Sequence, residues 1–192
     1  MTVAATGCAS PEETNETILE PAPPSFGAPV VEPLPLRIGF SFEPSVTEAL
    51  YPIGISNGRA QYRVRLGSAT RTAFDRVFSA LFVEAEPVSR VPIIQEPLGQ
   101  LDGIIRVGVA QVLVLIDAWV TYELTFLNPD GTQAGGWRVL GTSRAGYSAQ
   151  RNLELAVRMA AATVARDLEQ QFAIRAWLER HSSSGTEPSS DG

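Results

Sequence analysis

Residues 120–143 read VTYELTFLNPDGTQAGGWRVLGTS. Val120, Tyr122, Leu124 and Phe126 alternate with Thr121, Glu123 and Thr125. A period of two puts one set of side chains on a core face and the other toward solvent. Asn128-Pro129-Asp130-Gly131 then joins four turn-forming residues in a row. Trp137 and Val139 resume the apolar pattern on a return strand that ends near Ser143. The stretch predicts an antiparallel hairpin. Directly after it, Ser148 stands as a helix cap, and Leu153, Val157, Ala160, Ala161, Val164, Leu168 and Phe172 recur at spacings of three and four. A hairpin followed by a one-sided helix of this length predicts helix packed on sheet. The helix is expected to run to Arg180, about eight turns at 3.6 residues each, and Ala160-Ala161-Ala162 predicts close approach to the strands.

Working backwards, residues 104–116 are almost continuously apolar, with Val107, Val109, Val112 and Val114. Arg106 and Gln111 interrupt the run, and it is shorter than the roughly 18 residues of a membrane span. It is expected as one or two buried strands. Pro87, Pro92 and Pro97 break up the segment before it. Phe74, Val77, Phe78 and Leu81 mark an amphipathic helix of about four turns, capped at Ser68. Tyr62, Val64 and Leu66 form one alternating strand, and Leu36, Ile38, Phe40 and Phe42 form another. A turn-rich stretch, 43–58, lies between them. The whole predicts an α+β fold: a mostly antiparallel sheet with two helices packed on one face and a long C-terminal helix.

The flanks differ in composition. Residues 9–35 hold seven prolines and five glutamates, too few apolar groups for a core, and are expected as a disordered tether dispensable for folding. Residues 182–192 are a polar tail. The single folded domain is therefore expected over residues 36–181. Seven of the 21 acidic residues sit in the two flanks, so the centre is nearly neutral, with 14 acids against 15 basic residues. Every basic residue is Arg. A near-neutral centre argues against a nucleic-acid partner, which needs a basic footprint.

Chemistry is sparse. The chain has one His and one Cys, so no metal-ligand set can be completed from them, and neither metal nor cofactor is expected. His181 ends the last helix, where it can meet the helix dipole. The absence of Lys excludes a P-loop. Arg63, Arg65, Arg71 and Arg76 are read as solvated strand and helix faces. Acid–base work remains open to Asp102, Asp117, Glu123 and Asp130. Asp117 is the notable one, because it interrupts an apolar run at the expected bend between two strands. No catalytic residue is assigned. Ile174, Trp177 and Leu178 fall off the inward stripe of the last helix and are nominated as a partner contact. The competing reading is that the helix bends and Trp177 closes the core.

The start of the chain supplies the remaining signal. Thr6-Gly7-Cys8, preceded by small uncharged residues, resembles the end of a bacterial lipoprotein signal, in which the cysteine becomes the lipidated N-terminus. Ala5 departs from the larger aliphatic residue common at that place. Residues 1–8 are read as the remnant of such a signal. Together with the tether and the 120–137 hairpin segment, this resembles small envelope lipoproteins, among them lipopolysaccharide-assembly accessory lipoproteins. The resemblance implies a lipid on Cys8, a binding or assembly role with no chemistry of its own, and an envelope protein partner. Ala9, a non-acidic residue after the cysteine, points by the same analogy to the periplasmic face of the outer membrane. Two alternatives stay open: an auxiliary component of an envelope transport or secretion complex, and a carboxylate-dependent enzyme.

Overall fold

The computed structural model describes residues 17–25, 32–56, 59–88, 101–144 and 147–184. The elements run β1 (Thr17–Leu19), β2 (Leu34–Phe42), α1 (Pro44–Thr47), β3 (Tyr51–Ser56), β4 (Arg59–Val64), α2 (Gly67–Leu81), β5 (Phe82–Pro87), β6 (Gly103–Val114), β7 (Ala118–Leu127), β8 (Gln133–Thr142), α3 (Ala149–Asp167) and α4 (Phe172–Ser184). The fold is α+β, with two sheets and four helices among the described residues.

The main sheet has the order β5-β2-β6-β7-β8. The predicted hairpin is β7–β8, with Tyr122 facing Val139 and Glu123 facing Arg138. β6 and β7 are also antiparallel. β2, however, lies parallel to both β5 and β6, so the sheet is mixed rather than mostly antiparallel. Its parallel half arises because α2 returns the chain to the starting end of β2 before β5 begins. A smaller sheet has the order β1-β4-β3.

Both α2 and α3 pack on one face of the main sheet. Along β7 the inward residues Ala118, Val120, Tyr122, Leu124 and Phe126 are buried, as the alternation requires. Phe74 of α2 packs at 5.0 Å from the Tyr122 ring, and the Tyr122 hydroxyl shares a 2.8 Å hydrogen bond with Thr70 Oγ1. The one polar atom of this fully buried ring is thereby satisfied. Ser148 caps α3 as predicted, accepting from the Arg151 amide at 3.3 Å. Of Ala160-Ala161-Ala162, Ala160 makes the expected close contact with the sheet, on Gly141 of β8 beside Ala156, while Ala162 is exposed. A side chain at Gly141 would overlap the Ala156 carbonyl, so glycine here sets the packing distance rather than a backbone angle.

The opposite face of the sheet carries a small cluster, Val88, Leu101, Ile104 and Leu127. The rest of that face presents Thr121, Glu123, Arg138 and Leu140.

The last helix is not continuous. After α3 a single 3-10 turn, Leu168–Gln170, leads to Gln171, whose backbone is extended (φ −70°, ψ 135°). α4 starts anew at Phe172. No Gly or Pro marks this break, which replaces the expected eight-turn helix.

Candidate functional site

The break at Gln171 resets the helical phase, and that decides the nominated contact surface. In an unbroken helix Phe172 would continue the inward stripe four residues after Leu168. Instead Phe172 is 81% exposed, while Ile174 is buried and Trp177 is 1% exposed. Trp177 packs edge-on to Phe126 at 6.0 Å and lies over Gly103, whose missing side chain makes room for the indole. Its Nε1 donates to Asn128 Oδ1 at 3.3 Å. Leu178 is half-buried against the same core. The expectation of an exposed Trp anchor is therefore corrected: Ile174 and Trp177 close the core. Beside them His181 pairs with Asp102 at 3.4 Å, and Asp102 accepts the Arg37 amide at 2.8 Å.

The carboxylates considered for acid–base work lie in separate settings. Asp130 is held by the amide and hydroxyl of Thr132 in the β7–β8 turn, and those bonds keep its pKa below the usual carboxylate value. Glu123 pairs with Arg138 at 3.5 Å on the exposed sheet face. Asp117 sits half-buried in the β6–β7 turn, where its carbonyl accepts the Leu115 amide. No group of three or more His, Cys, Asp and Glu side chains among the described residues is placed to hold a metal.

A shallow cleft of about 580 Å3 opens between α2 and the β2–β5 edge, lined by Phe40, Phe42, Arg71, Asp75, Pro87 and Val88 among others. Partial burial raises the Asp75 pKa, and Arg71 opposes that shift. From sequence Arg71 reads as a solvated helix position, and neither residue carries a sequence signal for a cleft. One acid beside one Arg can orient a polar group, but it does not make an acid–base pair.

Cys8 lies outside the described residues. The segment behind it does not. Residues 17–25 were expected as part of a disordered tether, yet β1 pairs in parallel with β4, Thr17 facing Tyr62 and Leu19 facing Val64. Pro21 and Pro24 are buried. Glu20 pairs with Arg65 at 3.0 Å, the Gln150 side chain donates to the Glu20 carbonyl at 2.6 Å, and Arg76 reaches the Pro24 carbonyl at 3.4 Å. Composition misled here because this segment has no core of its own; it borrows a ready-made strand edge. The proline N atoms need no hydrogen-bond partner, so their burial costs little. Deleting residues 9–16 should leave the thermal midpoint unchanged, whereas deleting 9–25 should lower it by about 3 °C, a shift typical of a loss near 1 kcal/mol in a domain of this size. Equal midpoints by calorimetry would show that 17–25 contributes nothing to stability.

The Gln150 bond also places the N-terminal segment within the molecule. Two positions further along α3, Asn152 Nδ2 donates to the Ile116 carbonyl at 3.0 Å and to the Tyr147 carbonyl at 3.4 Å. The β6–β7 turn and Tyr147 thus meet at the first turn of α3, through Asn152. Three large apolar side chains stand out from it: Leu115 is 71% exposed, Ile116 78% and Tyr147 62%. Apolarity alone predicts burial up to Ile116; the strand pairing ends at Val114 facing Ala118, and the two residues beyond it leave the sheet. No helix among the described residues is long and apolar enough to cross a membrane.

No family model and no curated protein matches the chain. Among solved structures, protein XCC0632 from Xanthomonas campestris, of family DUF330, aligns over 88% of this chain and 100% of its own, with 11% identity and a TM-score of 0.51. Looser likenesses are a PelC dodecamer from Paraburkholderia phytofirmans (7% identity, 69% of this chain and 86% of that one, TM-score 0.41) and an uncharacterized protein (14%, 71% and 96%, TM-score 0.40). The first shows a shared fold and, at that identity, nothing more.

Proposed function

We propose that the protein is a lipid-anchored accessory subunit of a bacterial cell envelope, held by a lipid on Cys8 at the periplasmic face of the outer membrane. Its role is binding or assembly, without chemistry of its own. The observation that carries this reading is the position of Thr6-Gly7-Cys8: eight residues separate the cysteine from a strand built into the domain. At roughly 3.5 Å per extended residue those eight span at most about 28 Å. A lipid at that distance would hold the domain against a membrane rather than let it roam. The scattered carboxylates support a binding role over a carboxylate-dependent enzyme.

The test starts from the chain expressed behind its native upstream sequence. Wild type should fractionate with membranes, partition into detergent and gain the mass of a lipid; Cys8→Ser should be released. Identical fractionation of the two, with no added mass, would sink the anchor reading. Gentle-detergent affinity purification then separates a free-standing lipoprotein from an auxiliary component of an envelope transport or secretion complex.

A further inference from the structure

The two edges of the main sheet are finished differently. β5, at one edge, carries Glu84 and Glu86, closes on Pro87 and meets β2 with a shift in register. Charge, proline and irregular pairing all keep a strand edge from pairing further. β8, at the other edge, runs ten residues with no proline and no acid. It meets β7 in unbroken register from Thr142 to Gly135, and its one charge, Arg138, is answered within the chain by Glu123. The Ser143 amide donates to the Ala118 carbonyl at 2.9 Å, which fixes the phase of this ladder. Gly141, Val139 and Trp137 therefore bond back to β7, while Thr142, Leu140, Arg138 and Gly136 turn their N–H and C=O groups to the free edge. Among the described residues nothing bonds to that row.

The helix beside this edge selects the occupant. α3 lies over both β8 and β7. Ala156 and Ala160 rest on Gly141, so Leu155 and Met159, one place earlier, sit about 100° round the helix, on the side beyond β8. Leu155 is half-buried and Met159 is 50% exposed. Arg166, on the same flank, is neutralised by two bonds to Asp167. A lone extended peptide added to β8 would pair with the edge and leave this flank in water, whereas a second copy covers both. A two-fold axis would lay its β8 antiparallel to the first. Because α3 spans β8 and β7, its axis is about half a strand spacing inside β8, and the two α3 helices would lie about 10 Å apart, the distance at which helices pack. We propose that two copies of this chain associate through β8, with Arg138 facing Leu140 of the second copy, Gly136 facing its Thr142, and α3 packed on α3. This register pairs all four outward residues and avoids setting the two Arg138 side chains directly opposite one another, which like charge disfavours.

Sedimentation equilibrium tests this on the full chain, in reducing buffer so that Cys8, its one cysteine, cannot link two copies. At micromolar concentration the parent should sediment with twice the mass of one chain. Leu140→Pro removes an N–H that only the second copy uses, so the ladder with β7 keeps its bonds. Symmetry removes that bond twice, and association should weaken by about tenfold or more. Met159→Glu brings two carboxylates together between the helices and should weaken association by a similar factor, with the urea midpoint of the monomer unchanged because the position is already half in water. Val83→Glu, on β5 at a position 68% exposed, should leave association as it is. If Leu140→Pro fails to fold, Met159→Glu carries the test. A parent chain that stays monomeric would overturn the proposal and leave β8 to an extended segment of another protein. A dimer indifferent to Met159→Glu, or one that only Val83→Glu dissociates, would overturn it too. None of these results bears on the anchor at Cys8, which fractionation of Cys8→Ser decides.

Discussion

Trp177→Ala should destabilise the domain by about 3–5 kcal/mol, the range for truncating a core aromatic. The indole is 1% exposed, packs against Phe126, fills the space left by Gly103 and donates to Asn128. The substitution leaves a cavity under α4 and removes one of two donors to Asn128 Oδ1, which Arg180 still reaches at 3.3 Å. A domain of this size is stable by only about 5–15 kcal/mol, so the loss should be plain in urea unfolding. Phe172→Ser is the matched control. Both residues are aromatic and five positions apart, but Phe172 is in water, and its loss should change stability by less than about 0.5 kcal/mol. If Phe172→Ser is the costly change and Trp177→Ala the mild one, α3 and α4 form one unbroken helix in solution and the phase reset at Gln171 is wrong.

Gly141→Ala should cost about 3 kcal/mol, the upper part of the range for overpacking a core. The added methyl would overlap the Ala156 carbonyl and come within 2.9 Å of the Ala160 Cβ. The first obstacle is helix backbone, which has no rotamer to change. Relief requires moving α3 away from β8, and that opens space under Leu153, Val157 and Val164 as well. Gly136→Ala, in the same strand but on the other face, meets nothing closer than 3.6 Å. It should be neutral within about 0.5 kcal/mol, since alanine loses less backbone entropy than glycine. Equal behaviour of the two variants in unfolding experiments would show that α3 does not seat on Gly141.

The parts of this protein that could be read from sequence are those whose pattern is local and repeated. The β7–β8 hairpin follows from alternation plus a four-residue turn signal, and α2 and α3 follow from spacings of three and four. Three strands escaped. β5, Phe82–Pro87, carries two glutamates and ends in proline, as suits an edge strand with one neighbour. β3, Tyr51–Ser56, contains Pro52 and Gly54 and reads as turn, the glycine having φ 63°. β1, three residues in a Pro- and Glu-rich stretch, has no pattern long enough to see. Each is a strand because a neighbouring edge offers hydrogen-bond partners, which is a property of the neighbour.

The sequence by itself determined the α+β class, the inward residues of β7 and of α3, and the small-residue seam where α3 meets the sheet. Periodicity suffices for these because burial of one face follows directly from side-chain direction. Tertiary structure alone decided the parallel placement of β2, the packing of residues 17–25 and the burial of Trp177. It also decided the exposure of Leu115 and Ile116, two residues that apolarity alone would have buried. The physical reason is the same in each case. Hydrophobicity states that a side chain gains by leaving water, but whether a surface is there to receive it depends on where distant segments come to rest. One extended residue at Gln171 rotates every side chain after it, and strand pairing that stops at Val114 leaves the next two outside.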